Sequence, residues 1–185
     1  MKKILFVSGS ARNGNCKAIL ENLQKNFWLE YSTDLVFIRD YNIAECKGCN
    51  GCANTPNNEC VIDDLMKVLL EKIIDADIVV LATPNYFYNI SGLTKTFLDR
   101  TYSCYHNSLL KGKKFIYIYV GEDVESTTKK YLDNAMYGFT ISHGISVLGS
   151  YAISAGDIKS FSNQDNMQNT LEEITSTIQK NLINE

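Results

Sequence analysis

KILFVSGSARNGNC, residues 3–16, carries the architecture in miniature. Its first six residues form a continuous apolar run, the composition of a strand covered on both faces rather than one with a wet side. Two glycines, a serine and several other polar residues follow, and beyond them Leu20, Leu23 and Phe27 recur at helical spacing. Runs of the same kind, rich in β-branched and aromatic residues, recur at 34–38, 77–82, 114–120 and 145–153. Between these runs the period changes. Leu65, Met66, Leu69, Leu70, Ile73 and Ile74 mark a second helix, opening with Asp63 and Asp64 at its dipole-favoured end. Leu93, Phe97 and Leu98 mark a third; Thr128, Tyr131, Leu132, Ala135 and Phe139 a fourth; Met167, Leu171, Ile174, Ile178 and Leu182 a fifth. Five strands alternating with five helices require right-handed crossovers and a parallel sheet, hence a three-layer α/β domain over residues 1–185.

A chain of 185 residues buries a sizeable core without disulfide staples. The apolar start, residues 4–7, is too short for a signal-peptide core or a membrane span, so a soluble cytoplasmic protein is expected. With a net charge of -3 and no basic run, the chain offers no footprint for nucleic acid or an anionic membrane.

In such a sheet, ligands bind beyond the carboxyl ends of the strands, where strand order reverses. The loop SGSARNGNC suits an anion. Small residues let the backbone approach, N–H groups at the helix start point outward, and Arg12 adds a charged fork. It has neither the lysine ending of a nucleoside-triphosphate loop nor the glycine spacing of a dinucleotide fingerprint. The alternative is an ordinary turn capped by Asn15 or Cys16. After the third run, TPNYFYNISG sets Tyr86, Phe87 and Tyr88 on a loop, where rings lose their burial energy unless they pack on something. A flat heteroaromatic could stack there with Asn85 or Asn89 at its polar edge; a subunit interface is the other reading.

Four of the six cysteines lie in CKGCNGCANTPNNEC, 46–60, spaced C-x2-C-x2-C-x7-C within the loop 41–60. In a reducing compartment such a group is metal-binding or redox-active more often than bridged. Three thiolates two residues apart can wrap three corners of an iron-sulfur cubane, with Gly48 and Gly51 allowing sharp turns. Four cysteines also satisfy zinc, and free thiols are the third reading.

These loops together resemble the flavodoxin-like NADPH-dependent FMN reductase superfamily and, within it, the iron-sulfur flavoproteins. The resemblance rests on SGSARNGNC (8–16), IRDYNIAECKGCNGC (38–52) leading into CVIDDLM (60–66), and TPNYFYNISGLTKTFLDRT (83–101). It implies a flavodoxin-like sheet of order 2-1-3-4-5. Ser8, Ser10, Arg12, Asn13, Asn15 and Cys16 would surround the FMN phosphate, and Pro84, Asn85, Tyr86, Phe87, Asn89 and Gly121 would border the ring. A [4Fe-4S] cluster would sit on Cys46, Cys49, Cys52 and Cys60. The resemblance further implies NAD(P)H or a ferredoxin-like protein as electron donor, and a homodimer or homotetramer. Ala11 stands where the family usually has proline and Cys16 where it has threonine, and Gly121-Glu122 matches its glycine-rich segment poorly.

No acid-base pair is called for. His106 and His143 read as helix-end or surface residues, Cys104 as a small buried hydrophobe, and Asp99 with Arg100 as a structural pair at a helix end. The leading expectation is an FMN-dependent electron-transfer oxidoreductase. Its rivals are a cluster-free NAD(P)H-dependent FMN, quinone or nitro reductase with zinc-bound or free cysteines, and a non-catalytic flavodoxin-like binding module.

Overall fold

The computed structural model describes residues 1–122, 126–155 and 165–183; residues 123–125, part of the loop expected after the fourth strand, lie outside them. Strands β1 (Lys3–Ser8), β2 (Ser32–Phe37), β3 (Ile78–Pro84), β4 (Lys114–Gly121) and β5 (Ser146–Ser154) form one sheet of order β2-β1-β3-β4-β5. All four pairings are parallel, which is the flavodoxin-like order.

Side chains alternate across the sheet, so each apolar run feeds two cores at once. Ile4 and Phe6 face the side covered by α1 (Asn15–Lys25) and α6 (Asp165–Ile183), packing with Ile19, Leu23, Ile174 and Ile178. Leu5 and Val7 face the other side, under α2 (Met66–Asp75), α3 (Gly92–Arg100), α4 (Tyr102–His106) and α5 (Ser126–His143). β3, in the middle, is buried along its whole length, whereas β5, at the edge, is mostly half-buried.

Three expectations need correction. The described residues contain six α-helices, not five, because the short α4 follows α3 at once; a five-residue turn is too brief for periodicity to mark. The second helix begins at Met66, beyond Asp63 and Asp64, and Asp64 instead accepts the Met66 N–H at 3.0 Å from outside the helix. His143 ends α5, as the helix-end reading has it, but is buried rather than at the surface, with its Nε2 3.0 Å from Thr101 Oγ1.

Candidate functional site

The sheet order reverses between β1 and β3, and the loops leaving these neighbours are tied together there. Gly9 donates its N–H to the Ala82 carbonyl at 2.8 Å, and its own carbonyl accepts Ser91 Oγ at 2.6 Å. Thr94 Oγ1 fills the remaining space: a Cβ on Gly9 would lie 1.9 Å from it. Only glycine allows this approach.

Beyond Gly9 the loop folds on its own hydroxyls. Ser8 Oγ accepts the Ser10 N–H at 3.4 Å and Ser10 Oγ accepts the Arg12 N–H at 3.2 Å, so both serines, which are buried, shape the turn. α1 then starts at Asn15 with Gly14 as its N-cap and no side-chain cap, correcting the capped turn at Asn15 or Cys16. Its first ladder bond runs from Ala18 to Gly14, which leaves the N–H groups of Asn15, Cys16 and Lys17 without helical acceptors. Arg12 is exposed beside them, with no partner for its guanidinium among the described residues. The Cys16 side chain instead enters the core beside Ile19, and burial pushes its thiol up to about 12, so only its N–H faces the loop. Asn13 is held from outside. Arg39, just after β2, donates to the Ala11 carbonyl at 3.2 Å and to Asn13 Oδ1 at 2.5 Å while stacking over Phe37.

After β3, residues 86–89 make a two-residue turn. Tyr86 and Asn89 exchange N–H to carbonyl bonds of 2.9 and 3.0 Å, with Phe87 at φ 51° and Tyr88 at φ 59°. Glycine and asparagine are the residues suited to such positions, so two aromatic rings are held there against their backbone preference. Phe87 is fully exposed, at 101%, and Tyr88 leans toward Tyr131 of α5, with centroids 6.0 Å apart. Asn89 spends its side-chain oxygen on the Ile90 N–H, whereas Asn85 Oδ1 is buried without a partner among the described residues. Asn15 Oδ1 is equally unpartnered, while its amide nitrogen donates to Ala155 O at 3.0 Å. The Gly121 carbonyl accepts the Ala155 N–H at 2.8 Å, closing the rim between β4 and β5. An uncapped helix start beside a free arginine, two orphaned acceptors and a turn of exposed rings thus share one edge of the sheet. That donor set fits an anionic, hydrogen-bonding, flat-headed cofactor such as FMN.

The loop after β2 brings the four cysteines together. Cys46, Cys49, Cys52 and Cys60 all line one cavity of about 70 Å³, bounded on its far side by Asp99, Arg100, Tyr102 and Ser103. Gly48 (φ 62°) and Asn50 (φ 52°) turn the chain sharply between them. Gly51 admits Val61: a Cβ there would lie 2.8 Å from the valine methyls and 3.4 Å from Cys49 Sγ. Burial, then the nearby Cys60 and Cys46 sulfurs, raise the Cys52 thiol. His106 Nε2 lies 3.7 Å from Cys52 Sγ. Among the described residues no three of His, Cys, Asp or Glu are grouped so as to hold a single metal ion. A cubane spaces its four sulfurs around a body of several atoms, and one cavity common to all four is compatible with that.

Sequence reasoning missed three features. Arg39 gave no signal, since the loop partners it holds lie 26 and 28 residues away and its contact with the adjacent Asp40 does not point to the loop. Ser91, which accepts the Thr94 N–H at 3.0 Å, was readable as a helix cap. The expected Asp99–Arg100 pair does not form: Asp99 pairs with Lys95 on the exposed face, and Arg100 turns inward to Asp64.

A family model described as NADPH-dependent FMN reductase matches residues 2–157. An iron-sulfur flavoprotein of Methanosarcina thermophila is 33% identical over 150 residues, covering 80% of this chain and 77% of that protein. Another, of Archaeoglobus fulgidus, is 36% identical over 100 residues, 54% of this chain; there the chain spans about half the relative, 48% of its length. A solved NADH:FMN oxidoreductase in its apo form shares the fold, with a TM-score of 0.65 at 18% identity over 95% of this chain and 87% of that one. No helix among the described residues is long and apolar enough to cross a membrane. The chain belongs to the NADPH-dependent FMN reductase family, in its iron-sulfur flavoprotein branch.

Proposed function

We propose that this chain is an FMN-dependent oxidoreductase in which a [4Fe-4S] cluster on Cys46, Cys49, Cys52 and Cys60 exchanges electrons with the flavin. The observation that carries the reading is the shared edge: the uncapped α1 start and the exposed aromatic turn flank the switch point, and the cavity lined by all four cysteines belongs to the loop after β2.

FMN takes one or two electrons and an iron-sulfur cluster one at a time, so together they join one-electron supply to two-electron reduction of an acceptor. The protein binds and orients. Arg12 and the free N–H groups of Asn15, Cys16 and Lys17 hold the phosphate charge, with Ser8, Ser10 and Asn13 fixing the turn that presents them. Pro84, Asn85, Tyr86, Phe87 and Asn89 border the ring, with Gly121 at the rim. Asn15 Oδ1 and Asn85 Oδ1 supply hydrogen-bond acceptors that no described residue fills. The electron donor is NAD(P)H or a ferredoxin-like protein. A homodimer or homotetramer gives the exposed rings a second surface, and a reducing cytoplasm keeps the thiols available.

Anaerobic purification tests the reading. Broad visible absorption beyond the flavin bands with about four iron per chain supports it. Iron-free protein that NADPH reduces rapidly supports a cluster-free reductase instead. Protein that retains no flavin after reconstitution supports a binding module without turnover.

A further inference from the structure

Arg100, at the end of α3, heads the large side chains enclosed by the fold and is only 2% exposed. A buried guanidinium persists only when its charge and its donors are met. Here Nη1 donates to Asp64 Oδ2 at 2.6 Å and to the Ala44 carbonyl at 2.7 Å, and Nη2 donates to Asp64 Oδ1 at 2.9 Å. Asp64 in turn accepts the Ala44 N–H at 2.9 Å. The ion pair therefore grips Ala44 by both its N–H and its carbonyl. Ala44 and Asp64 bracket the segment that contains Cys46, Cys49, Cys52 and Cys60, so one pair of charges fastens both ends of the cysteine loop.

One donor is left over. Arg100 Nε is buried with no hydrogen-bond partner among the described residues. The arginine lines the same cavity of about 70 Å³ as all four sulfurs, and Cys60 is close enough to act on the guanidinium by charge and as a hydrogen-bonding neighbour, although its sulfur and Nε do not meet in hydrogen-bond geometry. Asp64 is the one carboxylate paired with Arg100 among the described residues. The spare N–H suits an anionic occupant of the sulfur cavity, whose charge a fixed cation stabilises.

We propose that Arg100 is a positioning residue for the sulfur site: with Asp64 it clasps the two ends of the cysteine loop, and it presents a fixed charge and a spare donor to an anionic iron-sulfur occupant. The second half rests on the cluster reading above; the clasp does not. Arginine is required because a planar fork meets Asp64 and Ala44 together, which an ammonium group on a single stem does not do.

The test uses the full chain, purified anaerobically, and trypsin. Lys47 is the only lysine or arginine within residues 45–63, and Lys25, exposed at the end of α1 on the opposite face of the sheet, serves as an internal reference. In Arg100→Lys, cleavage after Lys47 should accelerate at least about tenfold while cleavage after Lys25 keeps its rate, the mark of local rather than global opening. Asp64→Glu, which retains both charges but moves the carboxylate by one methylene, should do the same and serves if an Arg100 variant does not fold. Equal acceleration at both sites, or none at Lys47, overturns the clasp. In Arg100→Gln the cluster's one-electron equilibrium should shift toward the oxidised form by about tenfold, a fall of about 59 mV in potential, whereas Arg100→Lys stays near the parent value. An unchanged potential in Arg100→Gln overturns the electrostatic half. Iron-free parent protein means that the cluster reading, and the electrostatic half with it, has failed, and the cleavage ratio then decides the clasp.

Discussion

Replacing Phe87 with glycine should make the flavin-free protein more stable and its hold on FMN weaker. The ring is fully exposed, so its removal forfeits no burial within the chain. The backbone at φ 51° is in the left-handed region, where a side chain costs about 1–2 kcal/mol. Glycine relieves that strain but loses more freedom on folding, about 0.5–1 kcal/mol. The balance is a gain of about 0.5–1 kcal/mol, which for a chain of this length raises Tm by about 2–4 °C per kcal/mol. On the ligand side, an aromatic contact contributes about 0.5–1.5 kcal/mol beyond its area, so Kd for FMN should rise by up to about tenfold. Thermal melts of flavin-free protein give the first number and flavin-fluorescence titration the second. Melting below the parent protein would refute the strain argument, because it would mean that the ring is packed, as in a subunit contact. A stabilised variant with undiminished FMN affinity would detach Phe87 from the flavin site.

Arg12→Ala should weaken FMN binding by about 1.5–3 kcal/mol, the worth of a charged hydrogen bond, and unchanged affinity in the same titration would contradict the anion cradle. Hydrogen bonds from Arg100 hold the Asp64 carboxyl at about 2 against its ordinary 3.8. Because the folded-state value is the lower one, this contribution is present above the ordinary value and lost as pH falls from about 4 toward 2; it amounts to about 2–3 kcal/mol. Urea midpoints across that window should fall less steeply in Asp64→Asn, which starts about 3–5 kcal/mol less stable because Arg100 is left buried without its counter-charge. In native flavin-free, metal-free protein at about pH 8, iodoacetamide should label the exposed Cys46 and Cys49 and spare Cys16 and Cys104, whose thiols burial lifts to about 12 and about 11; mass spectrometry reads the pattern. Serine at Cys46, Cys49 or Cys52 should abolish iron and leave the flavin, whereas joint loss of both would make the loop a folding element.

What the chain revealed in advance follows distance along it. The strand, turn and helix of residues 3–16 and the aromatic turn after β3 are contiguous, so their composition alone exposes them; the strand order came with the resemblance, since periodicity does not say which strands are neighbours. Arg39 and Arg100 act on partners 26 to 56 residues away, and no local pattern names such partners. Yet Arg100 did leave a signal. An α-helix turns about 100° per residue, so Asp99 and Arg100, being adjacent, cannot share a face. Asp99 falls in phase with Lys95 on the exposed side, where the structure pairs them. Leu93, Phe97 and Arg100 stand at i, i+4 and i+7, the phase of the apolar stripe, and Phe97 and Arg100 are both buried. An arginine on that stripe must enter the core and find a carboxylate there. The charge that looked like a helix-end decoration was, by its phase, a demand for a buried acid, and Asp64, which opens the approach to α2, meets it.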